Sequence, residues 1–194
     1  MRRSFPSVFG SAVWMQLFTL EEQLDSLPDE EERARRGALL HAIEESLLAY
    51  DEHLWDYAYE QKWQQVAERG VVCCPWMDAS SLKGRWSKLF AATVDAATKK
   101  KIYYQQFRWH IFSFEVVACK AGDEARRAFD QCRKHTVYGF YQCEDTAFSV
   151  GHPMLLRAED FDFDDDIYLF DPVERWTYVH THEESCGPYF YQLP

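Results

Sequence analysis

Two histidines and a glutamate near the C-terminus, His180, His182 and Glu183, have residue types and a spacing that could do chemistry. In a β-strand, side chains two positions apart point to the same side, so both imidazoles could bind one metal ion. Glu183, His152 or Cys186 could complete its coordination shell. His180 and His182 could equally make surface hydrogen bonds, because no third ligand stands at a diagnostic spacing. They are metal candidates only, and we expect no cofactor.

A further histidine, His110, lies in a segment whose composition favours a strand. The residues from Trp109 to Phe114 alternate with period two and are rich in β-forming types. If the fold brings His110 near His182 and Glu183, the three side chains could carry acid–base chemistry. A buried histidine is also a common hydrogen-bonded core residue. His110, His182 and Glu183 are therefore candidates for catalysis, and the sequence alone assigns none of them a role.

An acidic run extends from Glu159 to Asp166 and contains two phenylalanines. Their alternation with the acids predicts an anchored loop whose carboxylates point outward. The run lacks the glycine and final glutamate of a calcium-binding EF-hand loop. It is either a solvated loop, a loose cation site or an acidic surface for a basic protein partner. Asp164, Asp165 and Asp166 are the candidate contacts of such a surface.

The first part of the chain has the pattern of long helices. Apolar residues recur at steps of three and four, which places them on one helical face. They are Leu40, Ile43, Leu47, Tyr50, Leu54 and Tyr57. The helix ends near Gly70 and is either continuous or broken near Tyr50. Its apolar stripe must be buried, either on a sheet formed by the second half of the chain or in a dimer seam.

The second half has the pattern of an antiparallel sheet. Short β-forming segments are joined by brief turns, as in the hairpin of 167–170 and 176–180 around Asp171 and Pro172. A second pair of strands is predicted at 136–141 and 146–150. The sequence therefore predicts an α+β fold, with a helical N-terminal half packed on a mostly antiparallel sheet. Residues 1–75 are the helical layer, and residues 76–194 are the α+β domain.

Charge and composition narrow the function classes. The net charge of −11 disfavours nucleic acid as a partner. The six cysteines lack the CxxC spacing of a zinc or redox site, which suggests reduced thiols in a cytoplasmic protein. Arg2 and Arg3 resemble a twin-arginine export start, but no cleavage site follows and the apolar stretch is too short to span a membrane. We therefore expect no membrane association.

Two strings carry a resemblance to a known family. They are Trp109-His-Ile-Phe-Ser113, and Trp176-Thr-Tyr-Val-His-Thr-His-Glu183 with the following Gly187-Pro-Tyr-Phe190. They resemble a family of small bacterial proteins known only as a domain of unknown function. The resemblance covers residues 80–194 and leaves the first 75 or so outside. It implies no activity, and within it His180 falls at a variable position.

Two functions from different classes follow. Aromatic residues are favoured at interfaces, and acidic surfaces attract basic partners, which suggests a non-enzymatic, immunity-like binding protein. Its candidate contacts, besides the three aspartates, are Trp109, Trp176, Tyr178 and Tyr189. The alternative is a metal-dependent or acid–base enzyme that uses His182, Glu183 and His110. The chain is expected to be a monomer or a homodimer through its N-terminal helices.

Overall fold

The computed structural model describes residues 10–183 and 185–194, so the Arg2-Arg3 start lies outside the described residues. The helices are α1 Gly10–Leu24, α2 Glu30–Glu68, α3 Ala79–Phe90, α4 Ala96–Lys101, α5 His110–Ser113 and α6 Gly122–Gln131. The strands are β1 Val72–Pro75, β2 Lys120–Ala121, β3 Val137–Tyr141, β4 Ala147–Gly151, β5 Ile167–Asp171, β6 Trp176–His180 and β7 Tyr189–Gln192. Short 3-10 helices cover Pro153–Leu155 and Ala158–Phe161. No helix in this part of the chain is long and apolar enough to cross a membrane.

The described residues divide into two compact units, residues 10–61 and Lys62–Pro194. The first consists of α1 and most of α2. The second helix is continuous over 39 residues, so the alternative break near Tyr50 does not occur. Three glutamates occupy its first turn, where the positive end of the helix dipole favours negative charge.

The second unit is built on one seven-stranded sheet in the order β1-β4-β3-β5-β6-β7-β2. Every neighbouring pair is antiparallel, and both predicted hairpins form, β3 with β4 and β5 with β6. The predicted α+β class, with helices first and an antiparallel sheet after them, is thus confirmed. The two central strands β5 and β6 are buried at every position, so their backbone is held away from water.

Helices cover both faces of this sheet. On one face, Trp86 of α3 packs its ring edge-on against Phe140 and Tyr168 of β3 and β5. On the other face, Phe129 of α6 packs against Tyr178 of β6. Alternation along β6 supplies both layers, because Trp176 and Tyr178 share a core with α6 while Val179 belongs to the core around Trp86. The helices described on the two faces, α3 and α6, both belong to the second unit.

The predicted strand at Trp109–Phe114 is wrong. Residues 110–113 form the short helix α5, and the backbone N–H of Trp109 donates to the phenol oxygen of Tyr168, 2.9 Å away. A six-residue segment rich in apolar side chains is compatible both with the two-residue period of a strand and with the 3.6-residue period of a helix. The helical turn wins because it buries Trp109 and Phe112, three positions apart, in one core and leaves Phe114 half exposed.

Gly139 in β3 is required by a close cross-strand contact. It pairs with Phe148 of β4, whose ring lies where a side chain would project, so that a Cβ would come within 2.2 Å of Phe148 Cζ. We expect Gly139→Ala to lower the free energy of unfolding by about 1–3 kcal/mol through overpacking. In urea titrations, Gly84→Ala in α3 is the control. Its Cβ meets nothing within 4 Å, and the helix should gain about 0.5–1 kcal/mol. A Gly139→Ala variant as stable as wild type would contradict this explanation.

Candidate functional site

His180 and His182 both contact the acidic segment that precedes β5. Strand β6 ends at His180, so His182 lies two residues beyond the strand. The Nδ1 of His180 donates to the backbone oxygen of Asp164 over 2.7 Å, whereas Nδ1 of His182 contacts the Asp166 carboxylate. The two imidazoles therefore bind different groups. In the described residues, no group of three or more His, Cys, Asp or Glu side chains is placed to hold a metal ion.

Asp166 is the centre of the candidate site. Its Oδ1 accepts a hydrogen bond of 2.9 Å from the indole Nε1–H of Trp109, and its Oδ2 lies 2.8 Å from Nδ1 of His182. A carboxylate oxygen accepts, so His182 carries its neutral-state proton on Nδ1 and has a lone pair on Nε2. An imidazole fixed in this tautomer by a carboxylate is the arrangement of a general base.

The His182 side chain is partly exposed and packs on aromatic rings. Its ring packs on Phe107, with centroids 5.0 Å apart, and on the edge of Trp109. The side chain as a whole is 27% exposed to solvent. Glu183 is more exposed, and its Oε1 lies 3.8 Å from Nε2 of His182. A second carboxylate thus stands on the side of the ring opposite to Asp166.

The structure brings His110 into the same aromatic cluster. Its ring lies 4.5 Å from Trp109 and 5.4 Å from Phe107, the two rings that also contact His182. Nδ1 of His110 is 2.6 Å from the carbonyl oxygen of Ile102, which can only accept. The second imidazole therefore also has its lone pair on Nε2. The three candidates named from the sequence, His110, His182 and Glu183, lie around one site.

Long-range hydrogen bonds position the site. The backbone oxygen of Asp166 accepts from the backbone N–H of Gln142, next to the end of β3. The side chain of Gln142 donates to Gln106 O and accepts from Nη1 of Arg108, which fixes the segment that leads into Trp109. Burial raises the pKa of the Tyr168 phenol well above its ordinary value. Tyr168 is therefore a neutral acceptor for the Trp109 backbone N–H.

The aromatic residues proposed as binding contacts lie inside the protein. Trp109, Trp176, Tyr178 and Tyr189 are between 0 and 6% exposed, and their rings pack in the two cores. The buried Trp109 also donates a hydrogen bond to Asp166, so it helps to position that carboxylate. These four side chains support the surface and contribute little of its area.

The expectation of outward carboxylates in the acidic run is wrong for three of its members. Asp160, Asp164 and Asp166 are buried. Asp160 binds the guanidinium of Arg69, and Asp164 accepts from the Tyr141 hydroxyl over 2.6 Å. Asp165, the third proposed acidic contact, is partly buried beside them. A buried carboxylate needs such partners, and most of them lie far away in the sequence.

The sequence did not reveal that Asp166 orients His182. The two residues are 16 positions apart, and Trp109 is 57 positions from Asp166. Phe107, which packs on both imidazoles, was not a candidate either. The alternation of acids with phenylalanines indicated the opposite orientation for Asp166, because it predicted carboxylates that point outward.

These observations define a class of protein: an antiparallel sheet with helices on both faces and a tryptophan–aspartate–histidine site at one end. The sequence model of a family described as a domain of unknown function, DUF4275, matches residues 72–190, and the chain belongs to this family. The match runs from β1 into β7 and includes every residue of the site, whereas α1 and α2 precede it. Searches of the curated proteins and of the solved structures found no match.

Proposed function

We propose that the chain is an acid–base enzyme in which His182 transfers a proton at Nε2. The observation that carries this proposal is the Asp166 carboxylate, which accepts from both Trp109 and His182 and so fixes the imidazole tautomer. Nε2 would remove a proton from a water molecule or from an O–H or C–H group of a small substrate. The resulting imidazolium would stand between Asp166 and Glu183, which stabilise positive charge.

His110 is proposed as a second proton-accepting group. Its Nε2 lone pair and its contacts with Trp109 and Phe107 match those of His182. Two imidazoles in one aromatic cluster allow one to accept a proton while the other, once protonated, supplies one. The competing hypothesis of a binding protein finds less support here, because its four aromatic contact candidates are buried.

The proposal is tested with a panel of small ester, lactone, amide and phosphodiester substrates and with proton exchange of carbonyl compounds. We expect at least one activity of the wild-type chain to fall roughly 10²–10⁴-fold in His182→Gln, the usual contribution of a general base. His135→Gln is the matched control, because His135 is exposed and its ring contacts only Thr136 among the interactions described.

A second variant, His110→Gln, should reduce the same activity, whereas His135→Gln should retain it. A panel in which no activity depends on His182 would overturn the proposed function. Activity equal in wild type and His182→Gln would have the same meaning, since a contaminant or another site would then be responsible. Retained melting temperatures in both variants would exclude unfolding as the cause of any loss.

A further inference from the structure

A polar groove lies between one face of α6 and the start of the 3-10 helix Ala158–Phe161. It has a volume of about 410 Å³ and is lined by three arginines and three acids, which are Asp123, Arg126, Arg127, Asp130, Arg157 and Glu159. The four residues from α6 recur at steps of three and four, so they share one helical face. Small-molecule sites have volumes of roughly 300–1,000 Å³, and the groove falls within that range.

A buried hydroxyl lies beneath this groove. Tyr178 of β6 is 0% exposed, and within the described residues its hydroxyl has no hydrogen-bond partner. Such groups are rare in folded proteins, and each needs an explanation. The Tyr178 ring packs on Phe129 of α6, so the side chain extends from the sheet towards that helix. The charged side chains that act on the hydroxyl are Arg126, Asp130 and Asp162, and the first two of them line the groove.

Two charged side chains of the groove have no partner of their own. Asp123 and Arg127 are four positions apart on α6, a spacing at which opposite charges on a helix can pair. In the part of the chain that the structure describes, neither side chain forms an ion pair or a hydrogen bond. The other two arginines of the groove are already paired with carboxylates. A ligand can therefore bind Asp123 and Arg127 without breaking a contact of the folded chain.

The charges of the groove favour a ligand that carries both signs. The three arginines and three acids of the lining cancel, so a simple anion such as phosphate would meet repulsion as well as attraction. A zwitterion with one carboxylate and one ammonium group can pair with Arg127 and Asp123 together. Burial raises the pKa of the Tyr178 phenol, so its hydroxyl stays neutral and can donate a hydrogen bond to the same ligand.

We propose that this groove binds a small zwitterion, an α-amino acid or a dipeptide, whose carboxylate contacts Arg127 and whose ammonium group contacts Asp123. The Tyr178 hydroxyl donates to the ligand at the floor of the groove. The ligand reaches it when the Arg126 side chain, which is 28% exposed, changes its rotamer, as side chains at binding sites commonly do. None of these residues belongs to the Asp166–His182 site, so the proposal stands whether or not the proposed enzymatic function holds.

Isothermal titration calorimetry of the full chain with the twenty common α-amino acids and glycylglycine tests the groove. We expect at least one of them to bind with a dissociation constant below roughly 1 mM. Arg127→Ala and Asp123→Ala should each weaken this binding at least roughly tenfold, because each removes a charge-assisted contact. Arg133→Ala is the control, because Arg133 is 76% exposed and lies outside the groove. A panel without a binder, or a binder unaffected by both variants, would overturn the proposal.

Derivatives of the best ligand test the requirement for both charges. Acetylation of its amino group and amidation of its carboxylate each remove one charge, and each should weaken binding at least roughly tenfold. Inorganic phosphate is titrated in parallel and should bind more weakly than the zwitterion. If phosphate binds more tightly, or if both derivatives bind as well as the parent compound, the groove is not a zwitterion site.

Tyr178→Phe tests the floor of the groove with and without the ligand. In the free protein the melting temperature should not fall, because the hydroxyl that is removed has no partner. Tyr168→Phe is the matched control, since Tyr168 is equally buried but its hydroxyl accepts from the Trp109 backbone N–H, and its loss should lower the melting temperature. Tyr178→Phe should also weaken the ligand at least roughly fivefold. A Tyr178→Phe variant that melts earlier and binds normally would show that the hydroxyl is satisfied without the ligand, and its assigned role would be wrong.

Discussion

Replacing Asp171 with alanine is expected to lower the free energy of unfolding by about 4 kcal/mol, an unusually large effect for one polar side chain. Asp171 is fully buried at the end of β5. Its Oδ2 accepts from the backbone N–H groups of His135 and Thr136, and its Oδ1 accepts from those of Val173 and Glu174. Alanine would leave four donors without their acceptor. It would also release the β5–β6 turn from the segment that leads into β3.

Guanidinium chloride titrations of the two variants Asp171→Ala and Asp145→Ala measure this effect. Asp145 lies in the exposed β3–β4 connection and should change the stability by less than about 0.5 kcal/mol when replaced. Asp171→Asn should also be destabilising, because its amide group would present a donor to two backbone donors. If Asp171→Ala stays within about 1 kcal/mol of wild type, the four hydrogen bonds do not contribute as their geometry indicates.

Asp171 also illustrates which parts of the fold could be predicted. The sequence identified its turn from Asp171 and Pro172, and the hairpin it closes forms as expected. The predicted strand at 176–180 also forms, as β6. These are local signals, in which a residue and its neighbours determine the backbone. The role of Asp171 as acceptor for His135 and Thr136 could not be predicted, because those donors lie 36 and 35 positions away.

The same distinction applies to the site. His110, His182 and Glu183 were candidates from residue type alone. In the structure both imidazoles contact the rings of Phe107 and Trp109. Glu183 lies beside Nε2 of His182. The strand predicted around His110 is wrong, because its period-two pattern also fits the short helix that forms there. The sequence treated Asp166 as a surface charge. Its partners reach it through tertiary structure, and no local pattern encodes them.

The other large effect is expected at Asp166, where asparagine should invert the tautomer of His182. Trp109 Nε1–H can only donate, so the asparagine must turn its carbonyl oxygen towards Trp109. Its amide N–H then faces Nδ1 of His182, which must accept, and the neutral imidazole proton moves to Nε2. A histidine protonated at Nε2 cannot act there as a base. Any activity that depends on His182 should fall roughly 10²–10⁴-fold, as for loss of the base itself.

Nitrogen-15 NMR of histidine-labelled protein reads the tautomer directly and needs no substrate. We expect Nδ1–H for neutral His182 in the wild type and Nε2–H in Asp166→Asn. Adding Trp109→Phe to Asp166→Asn removes the donor that orients the amide, so the carbonyl can turn towards His182 and restore Nδ1–H. Both variants carry asparagine at position 166, which has the size of aspartate. The near-ultraviolet circular dichroism of the double variant should be compared with that of the wild type to confirm that its aromatic core is intact. An Asp166→Asn variant that keeps Nδ1–H would show that Trp109 does not control the orientation of this side chain, and the dyad would lose its structural basis.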